Sequence, residues 1–323
     1  MTRRSPTPEG VSAAAERVRP QVTRTPLLPL DWPRTRLWVK AECLQQGGSF
    51  KLRGATNRLL QLDEGQRRRG VVAFSSGNHA LGVAIAARRL GIAATIVMPS
   101  DAPAVKRDAT LAAGARIVSY DRATESREAI AARLAGEQGA TLVPSFDDVD
   151  VIEGQGSVGV EILHQLGFSP DKVLVPCGGG GLSAGIALAL PEAQILAVEP
   201  EGWDDMGRSI DAGEPLPVAD GAPETRCDAL QTRLVSPLTL AALRNSGARG
   251  VAVTEEEVSA AMAFAARHLR LVAEPGGAVA LAALLAGKAG EVTPRTVVVI
   301  SGGNVDPLAY AEILRAQAAA ATG

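Results

Sequence analysis

Gly47-Gly48-Ser49-Phe50-Lys51-Leu52-Arg53-Gly54-Ala55 sets a lysine at a glycine-hinged entry to a helix. Two glycines break the preceding segment, and Ser49 is a favoured N-cap residue. Apolar Leu52, Ala55, Leu59 and Leu62 recur at helical spacing, which predicts a helix over 51–62. The Lys51 ammonium then sits in the first turn, where the macrodipole disfavours positive charge. An amine held there titrates below its free value and is the better nucleophile near neutrality. A solvated lysine on a surface helix is the alternative reading. The other lysines are Lys40, Lys106, Lys172 and Lys288, and none combines a glycine hinge, a cap and a helix start. If the protein does amine chemistry on a carbonyl cofactor, Lys51 is the candidate.

Upstream, 8–19 reads as a helix ended by Pro20, 23–27 as a proline-fixed extended segment, and 37–41 as a strand. The charged stretch 63–69 reads as a solvated connection. Beyond it, strand patterns at 71–74, 94–98, 116–119 and 141–143 alternate with helical patterns at 80–90, 103–113 and 122–138. The second half repeats the alternation: helix 151–166, strand 172–175, a helix from the Gly178 run to 190, strand 195–198, helices 255–271 and 278–286, strand 296–300. Residues 201–232, rich in Gly, Pro and acids, show no regular pattern. Strand–helix–strand repeats of this length give parallel sheets with right-handed crossovers. The expected fold is α/β, with two open parallel-type sheets and flanking helices. A large lobe takes 1–69 plus 146–323, and a small substrate-loop lobe takes 70–145.

The 323 residues suffice for a large core. A net charge of −2 leaves no electrostatic footprint for nucleic acid or an anionic membrane. No apolar run approaches the roughly 20 residues of a membrane span, and the Arg3-Arg4 pair precedes no apolar stretch of a secretory signal. Cys43, Cys177 and Cys227 are far apart and form no CxxC or zinc spacing. That suits a reduced, cytoplasmic protein with buried thiols.

Pro176-Cys177-Gly178-Gly179-Gly180-Gly181-Leu182-Ser183 follows a strand and opens a helix. Bare backbone N–H groups at a helix start make an anion cradle, most often for phosphate. No Gly-Lys-Ser/Thr follows, and Gly178-x-Gly180-x-x-Ser183 lacks the third glycine of a dinucleotide fingerprint. A tight packing turn is the alternative. Ser75-Ser76-Gly77-Asn78-His79 lies at the carboxyl end of a strand, where open α/β sheets bind ligands. Its hydroxyls and amide are short arms for a carboxylate or ring oxygen, and His79 reads as structural. Ser301 ends the last strand, where a hydroxyl can face a ring nitrogen. Glu199, Asp204 and Asp205 are oxygen donors for a hard cation, or a solvated acidic loop.

Taken together these groups resemble one family, the pyridoxal-phosphate enzymes of the tryptophan-synthase-β fold (fold type II), in its threonine/serine dehydratase and serine racemase branch. Arg24-Thr25-Pro26-Leu27, Ser49-Phe50-Lys51-Leu52-Arg53-Gly54-Ala55, Ser75-Ser76-Gly77-Asn78-His79, Gly154-Gln155-Gly156 and Cys177-Gly178-Gly179-Gly180-Gly181-Leu182 carry the likeness. So do Glu199-Pro200, Glu274-Pro275-Gly276-Gly277-Ala278 and Ser301-Gly302-Gly303-Asn304. They keep the family's order over nearly the whole chain.

The resemblance implies pyridoxal 5'-phosphate bound by Lys51 as a Schiff base, with Lys51 also moving the Cα proton. It implies Gly178, Gly179, Gly180, Gly181 and Leu182 on the phosphate, Phe50 beside the cofactor, Asn78 on the ring oxygen and Ser301 at the pyridine nitrogen. Ser75, Ser76, Gly77 and Asn78 would clamp the substrate carboxylate. Ser76 stands where racemases of the branch carry the second acid/base. Glu199, the Trp203 carbonyl and Asp205 match the branch's site for Mg2+ or another divalent cation. The implied reaction is dehydration and deamination of a β-hydroxy amino acid, L-threonine or L-serine first, by a homodimer. Racemisation of serine, or dehydration of another 3-hydroxy amino acid such as 3-hydroxyaspartate, is the alternative within the fold. A non-catalytic amino-acid- or nucleotide-binding protein is the alternative outside it.

Thr225-Arg226-Cys227-Asp228-Ala229-Leu230 stands where the branch often has Ala-Asp-Gly, with alanine for glycine, and Ser145-Phe146-Asp147-Asp148 where some members place an asparagine. The regulatory domain of biosynthetic threonine dehydratases is not expected.

Overall fold

The computed structural model describes residues 4–33, 35–75, 77–102 and 104–320. Strands β1 (Leu27–Trp32) and β2 (Thr35–Ala41) precede β3 (Val71–Phe74), β4 (Ala94–Pro99), β5 (Arg116–Tyr120) and β6 (Thr141–Leu142). Then come β7 (Lys172–Pro176), β8 (Gln194–Pro200), β9 (Arg249–Val253) and β10 (Thr296–Ile300). Six form one sheet in the order β1-β2-β10-β7-β8-β9, and four form a second in the order β5-β4-β3-β6. Every pairing is parallel except β1 with β2. The sequence pattern missed β1 because Pro29 and Asp31 are poor strand residues. At the edge of a sheet a missing N–H costs little.

The helices are α1 (Pro8–Val18), α2 (Lys51–Leu60), α3 (Glu64–Arg69), α4 (Asn78–Leu90), α5 (Ala104–Ala112), α6 (Arg127–Gln138) and α7 (Val149–Leu166). They continue with α8 (Gly181–Ala189), α9 (Asp205–Ala212), α10 (Pro237–Asn245), α11 (Glu255–Phe264), α12 (Pro275–Leu285) and α13 (Pro307–Ala320). Asp63 closes a capping box with Gln66, so the charged stretch expected as a connection is the helix α3. The irregular 201–232 region holds α9 and a 3-10 turn, Asp228–Leu230. The helix expected over 255–271 is two pieces, α11 and a π-turn, Ala265–Leu269, ended by Arg270 at φ 59.

Both sheets reverse their winding beside their first central strand. From β7 the chain goes to β8 on one side and later to β10 on the other. From β3 it goes to β4 on one side and later to β6 on the other. At such points the loops after the two strands part and leave a crevice at the carboxyl ends. The loops after β7, β10 and β3 are the Gly178, Ser301 and Ser75 segments. Topology alone thus delivers three separate motifs to strand ends where ligands bind.

Packing then fixes α2, and with it Lys51. A Cβ on Gly185 of α8 would stand 2.5 Å from both the Gly156 N and the Ile152 O of α7, so these two helices touch backbone to backbone. From α7, Gln155 Oε1 accepts the Gly54 N–H of α2 at 3.1 Å. Arg53, fully buried, pairs with Glu42 at 2.8 Å and with Glu161 at 2.7 Å, and Lys40 pairs with Glu161 at 2.6 Å. Breaking such a buried network by removing one partner costs about 3–5 kcal/mol. Behind it α12 is buried from Pro275 through Leu284 and packs on β7, β8 and β10, apolar on every face as an interior helix must be. Among the described residues no helix is long and apolar enough to cross a membrane.

Candidate active site

Lys51 is the first residue of α2, as the spacing predicts, but Ser49 is not its cap. Phe50 takes the N-cap position with no side-chain bond. Ser49 instead bridges Gly302, and the Phe50 N–H donates to the Ser301 carbonyl at 3.2 Å. The loop after β10 therefore claims the backbone that the sequence assigned to capping. Lys51 Nζ turns inward and donates to the Ser145 carbonyl at 3.0 Å. Loss of hydration pushes its pKa down to about 8, and the Glu274 charge pulls weakly the other way. Burial, rather than the helix dipole, is the larger cause.

One cavity is lined by Phe50, Lys51, Asn78, Gly178, Gly179, Gly180, Gly181, Leu182 and Ser301. Residues from four distant parts of the sequence thus meet in one cavity. Gly180 has φ +83, a backbone that favours glycine, and a Cβ on Gly179 would fall 2.4 Å from the Phe146 ring. Helix α8 begins at Gly181, so its first N–H groups have no acceptor within the helix. Bare donors in a side-chain-free cup, facing a cavity that also holds an amine, fit an aldehyde cofactor with an anionic tail. Gly178 to Gly181 with Leu182 would hold the phosphate, and Lys51 the aldehyde carbon.

Asn78 begins α4 and is locked from both ends. Its Nδ2 donates to Glu274 Oε1 at 2.5 Å, and its Oδ1 accepts from Asn304 Nδ2 at 2.8 Å. One N–H remains for a ring oxygen. Burial, with the nearby Asp228 charge, raises Glu274 to about 7, and its Oε2 is buried without a partner. Sequence reasoning quoted Glu274 but gave it no role. A proline at the first position of α12 after an acidic residue was the available signal, yet Glu274 caps nothing there. A Cβ on Gly302 would lie 2.0 Å from Glu274 Oε1, so the glycines after Ser301 make room for this carboxyl.

Ser75 and Gly77 lie at the end of β3, with Ser75 Oγ accepting the Gly77 N–H at 3.2 Å. Gly77 lines the neighbouring cavity together with Asn78 and Lys106, and is absent from the lining of the Lys51 cavity. Ser76 lies outside the described residues. His79 is buried, its Nε2 2.9 Å from the Val143 carbonyl, and burial lowers its pKa to about 3. A neutral imidazole so placed is structural. Ala229, Leu230 and Thr232 complete the cavity wall and were not foreseen as site residues.

Glu199, Trp203 and Asp205 lie at the end of β8 and the start of α9, and none of them lines the Lys51 cavity. Glu199 accepts the N–H groups of Met206 and Gly207 at 3.0 and 2.8 Å. Both Asp205 oxygens are buried without a partner. Two desolvated carboxylates, one with bare oxygens, suit a hard cation in donor type. Among the described residues no group of three or more His, Cys, Asp or Glu side chains could hold a metal, so a carbonyl such as that of Trp203 would have to complete the set.

Buried amine, glycine cup and crevice-forming topology define an enzyme of the pyridoxal-phosphate class. The chain belongs to the pyridoxal-phosphate dependent enzyme family, which it matches over residues 18–303. It is similar to the L-threo-3-hydroxyaspartate ammonia-lyase of Pseudomonas sp, 42% identical over 94% of this chain and 97% of that protein. Maize serine racemase superposes with a TM-score of 0.88 at 33% identity, covering 99% of this chain and 100% of the other. The threonine deaminase of T.th. superposes with a TM-score of 0.85 at 41% identity, covering 93% and 99%. The fold is accordingly the tryptophan-synthase-β type.

Proposed function

We propose that the protein eliminates water from a 3-hydroxy amino acid and releases ammonia and a 2-oxo acid. The observation that carries this reading is the inward-turned Lys51 amine sharing one cavity with the Gly178–Gly181 cup. Pyridoxal phosphate, when bound, supplies the electron sink that acidifies the substrate Cα–H. Lys51, its pKa near 8, takes that proton as a general base. The Cβ–O bond then breaks, the hydroxyl leaves with a proton as water, and the released enamine hydrolyses to ammonia and the 2-oxo acid. The Ser301 hydroxyl would be a neutral partner for the pyridine nitrogen and would not keep a proton there as a carboxylate would. Elimination is therefore favoured over transamination. Phe50 would flank the cofactor, and Ser75, Gly77 and Asn78 would hold the substrate carboxylate.

Within this class we infer 3-hydroxyaspartate as the first substrate to test. The Pseudomonas relative acts on such a compound. L-Threonine or L-serine dehydration is the second reading, supported by the likeness to threonine deaminase. Serine racemisation would use Ser76 as the opposite-face acid/base, and the likeness to maize serine racemase supports it. Glu199, Trp203 and Asp205 would hold a divalent cation. The working form would be a cytoplasmic homodimer, of about twice the 33.3 kDa chain mass by light scattering.

Both enantiomers of threonine, serine and the 3-hydroxyaspartates, assayed for 2-oxo acid and for chiral inversion, test the reading. The L-threo-3-hydroxyaspartate rate should lead, and Lys51→Ala should abolish both 2-oxo acid release and the visible colour of the holoenzyme. Full activity in Lys51→Ala would reject it.

A further inference from the structure

Among the described residues a single ion pair joins the elements of the four-stranded sheet to those of the six-stranded one. It links Lys106 on α5 to Asp228 in the turn Asp228–Leu230. The side chains are 16% and 47% exposed. A pair that wet adds little to fold stability, so what matters is where it stands. Lys106 Nζ and Cδ lie 3.7 and 4.0 Å from the point a Gly77 Cβ would occupy, so the ammonium rests against the turn between β3 and α4. On the other side, Ala229 and Leu230 of the Asp228 turn wall the Lys51 cavity, and Leu230 Cα lies 3.2 Å from where a Gly178 Cβ would stand. Both charges also lie within electrostatic reach of Glu274, which binds Asn78. The pair therefore connects the substrate-carboxylate turn to the wall over the glycine cup.

We propose that Lys106 is a positioning residue whose ammonium, held by Asp228, registers the Gly77-Asn78 turn against the Ala229-Leu230 wall. The substrate carboxylate then meets a preset loop. A Cβ at Gly77 would make ordinary van der Waals contact with Lys106 Nζ and Cδ, so the ammonium lies directly against this turn. This deepens the reading that Gly77 and Asn78 hold the carboxylate, and rests on it.

The test is a double-mutant cycle on the holoenzyme. Calorimetric Kd for L-alanine reports carboxylate capture without elimination, since L-alanine has no leaving group, and KM and kcat are taken with the best substrate of the panel. Lys106→Met and Asp228→Asn should each weaken L-alanine binding and raise KM about 10-fold, with kcat changed less than about 3-fold. The double variant should be no worse than either single, and the exchange Lys106→Asp with Asp228→Lys should recover most of the loss. Thermal midpoints should stay together, since the pair adds little to fold stability. Losses that multiply in the double variant, or single variants that bind normally, would overturn the proposal. Coupled L-alanine binding without 2-oxo acid from any substrate would instead reject the elimination reading and leave this one standing.

Discussion

Taking the Lys51 ammonium out of water costs more than the Glu274 charge returns, so its proton leaves near pH 8. An exposed lysine would hold it to about 10.4. The apo-protein should therefore capture pyridoxal phosphate at a rate that rises with pH through a midpoint near 8, followed by visible absorbance. A midpoint near that of free lysine would show that the amine is hydrated. Lys51 was legible from its neighbours in sequence, but the cause of its lowered pKa was not. Ser145, which accepts its hydrogen bond, and Asn78 and Glu274, which share its cavity, are all far away in sequence. Glu274 was illegible for the same reason, since its bond to Asn78 spans 196 positions. Ser49 misled because its backbone is claimed by Gly302, which no local signal announces.

Among the elements, those with both a strong pattern and clear borders were read to the residue. Strands β3 and β10 are β-branched or apolar runs bounded by turns, and both appear as expected. The edge strands of the six-stranded sheet were lost, β1 and β9. Strand β9, Arg-Gly-Val-Ala-Val, alternates weakly, and it escaped notice together with α10 before it. Helix α9 hid in the acidic 201–232 stretch, because Asp204 and Asp205 read as loop residues while they begin a helix. There the unpartnered Asp205 oxygens yield a prediction. Millimolar Mg2+ should raise the thermal midpoint of the wild-type protein, and Asp205→Asn should remove that rise without removing cofactor colour. An equal rise in both proteins would place the ion elsewhere.

For the whole molecule, the buried ionisable groups set how the apo-protein responds to pH. Glu274 holds its proton to about 7 in the folded chain and loses it near the ordinary 4.5 when unfolded. The native state binds more protons between those values, so this contribution is full below 4.5 and falls away as pH rises to 7. Lys51 works in the other window. Its folded pKa of about 8 lies below the ordinary 10.5, so stability is regained as pH climbs from 8 to 10.5. Urea unfolding of the apo-protein should show these groups' contribution lowest between pH 7 and 8, and Glu274→Gln should flatten the acid-side slope. An unchanged slope in that variant would mean that Glu274 does not carry its proton into the neutral range. At this scale the sequence was most legible, because alternating strands and helices leave few topologies.

The pairing of β2 with β10 has a consequence for biosynthesis. Val299 lies opposite Lys40, and the Ser301 carbonyl receives the Phe50 N–H. The strand that leads to the reactive lysine thus waits for a neighbour translated some 260 residues later, whereas β3 to β6 are contiguous and can close early. A nascent polypeptide cannot assemble the Lys51 cavity until nearly all of the described sequence has left the ribosome, and a fragment stopping short of Thr296 would lack the surface against which that lysine is set.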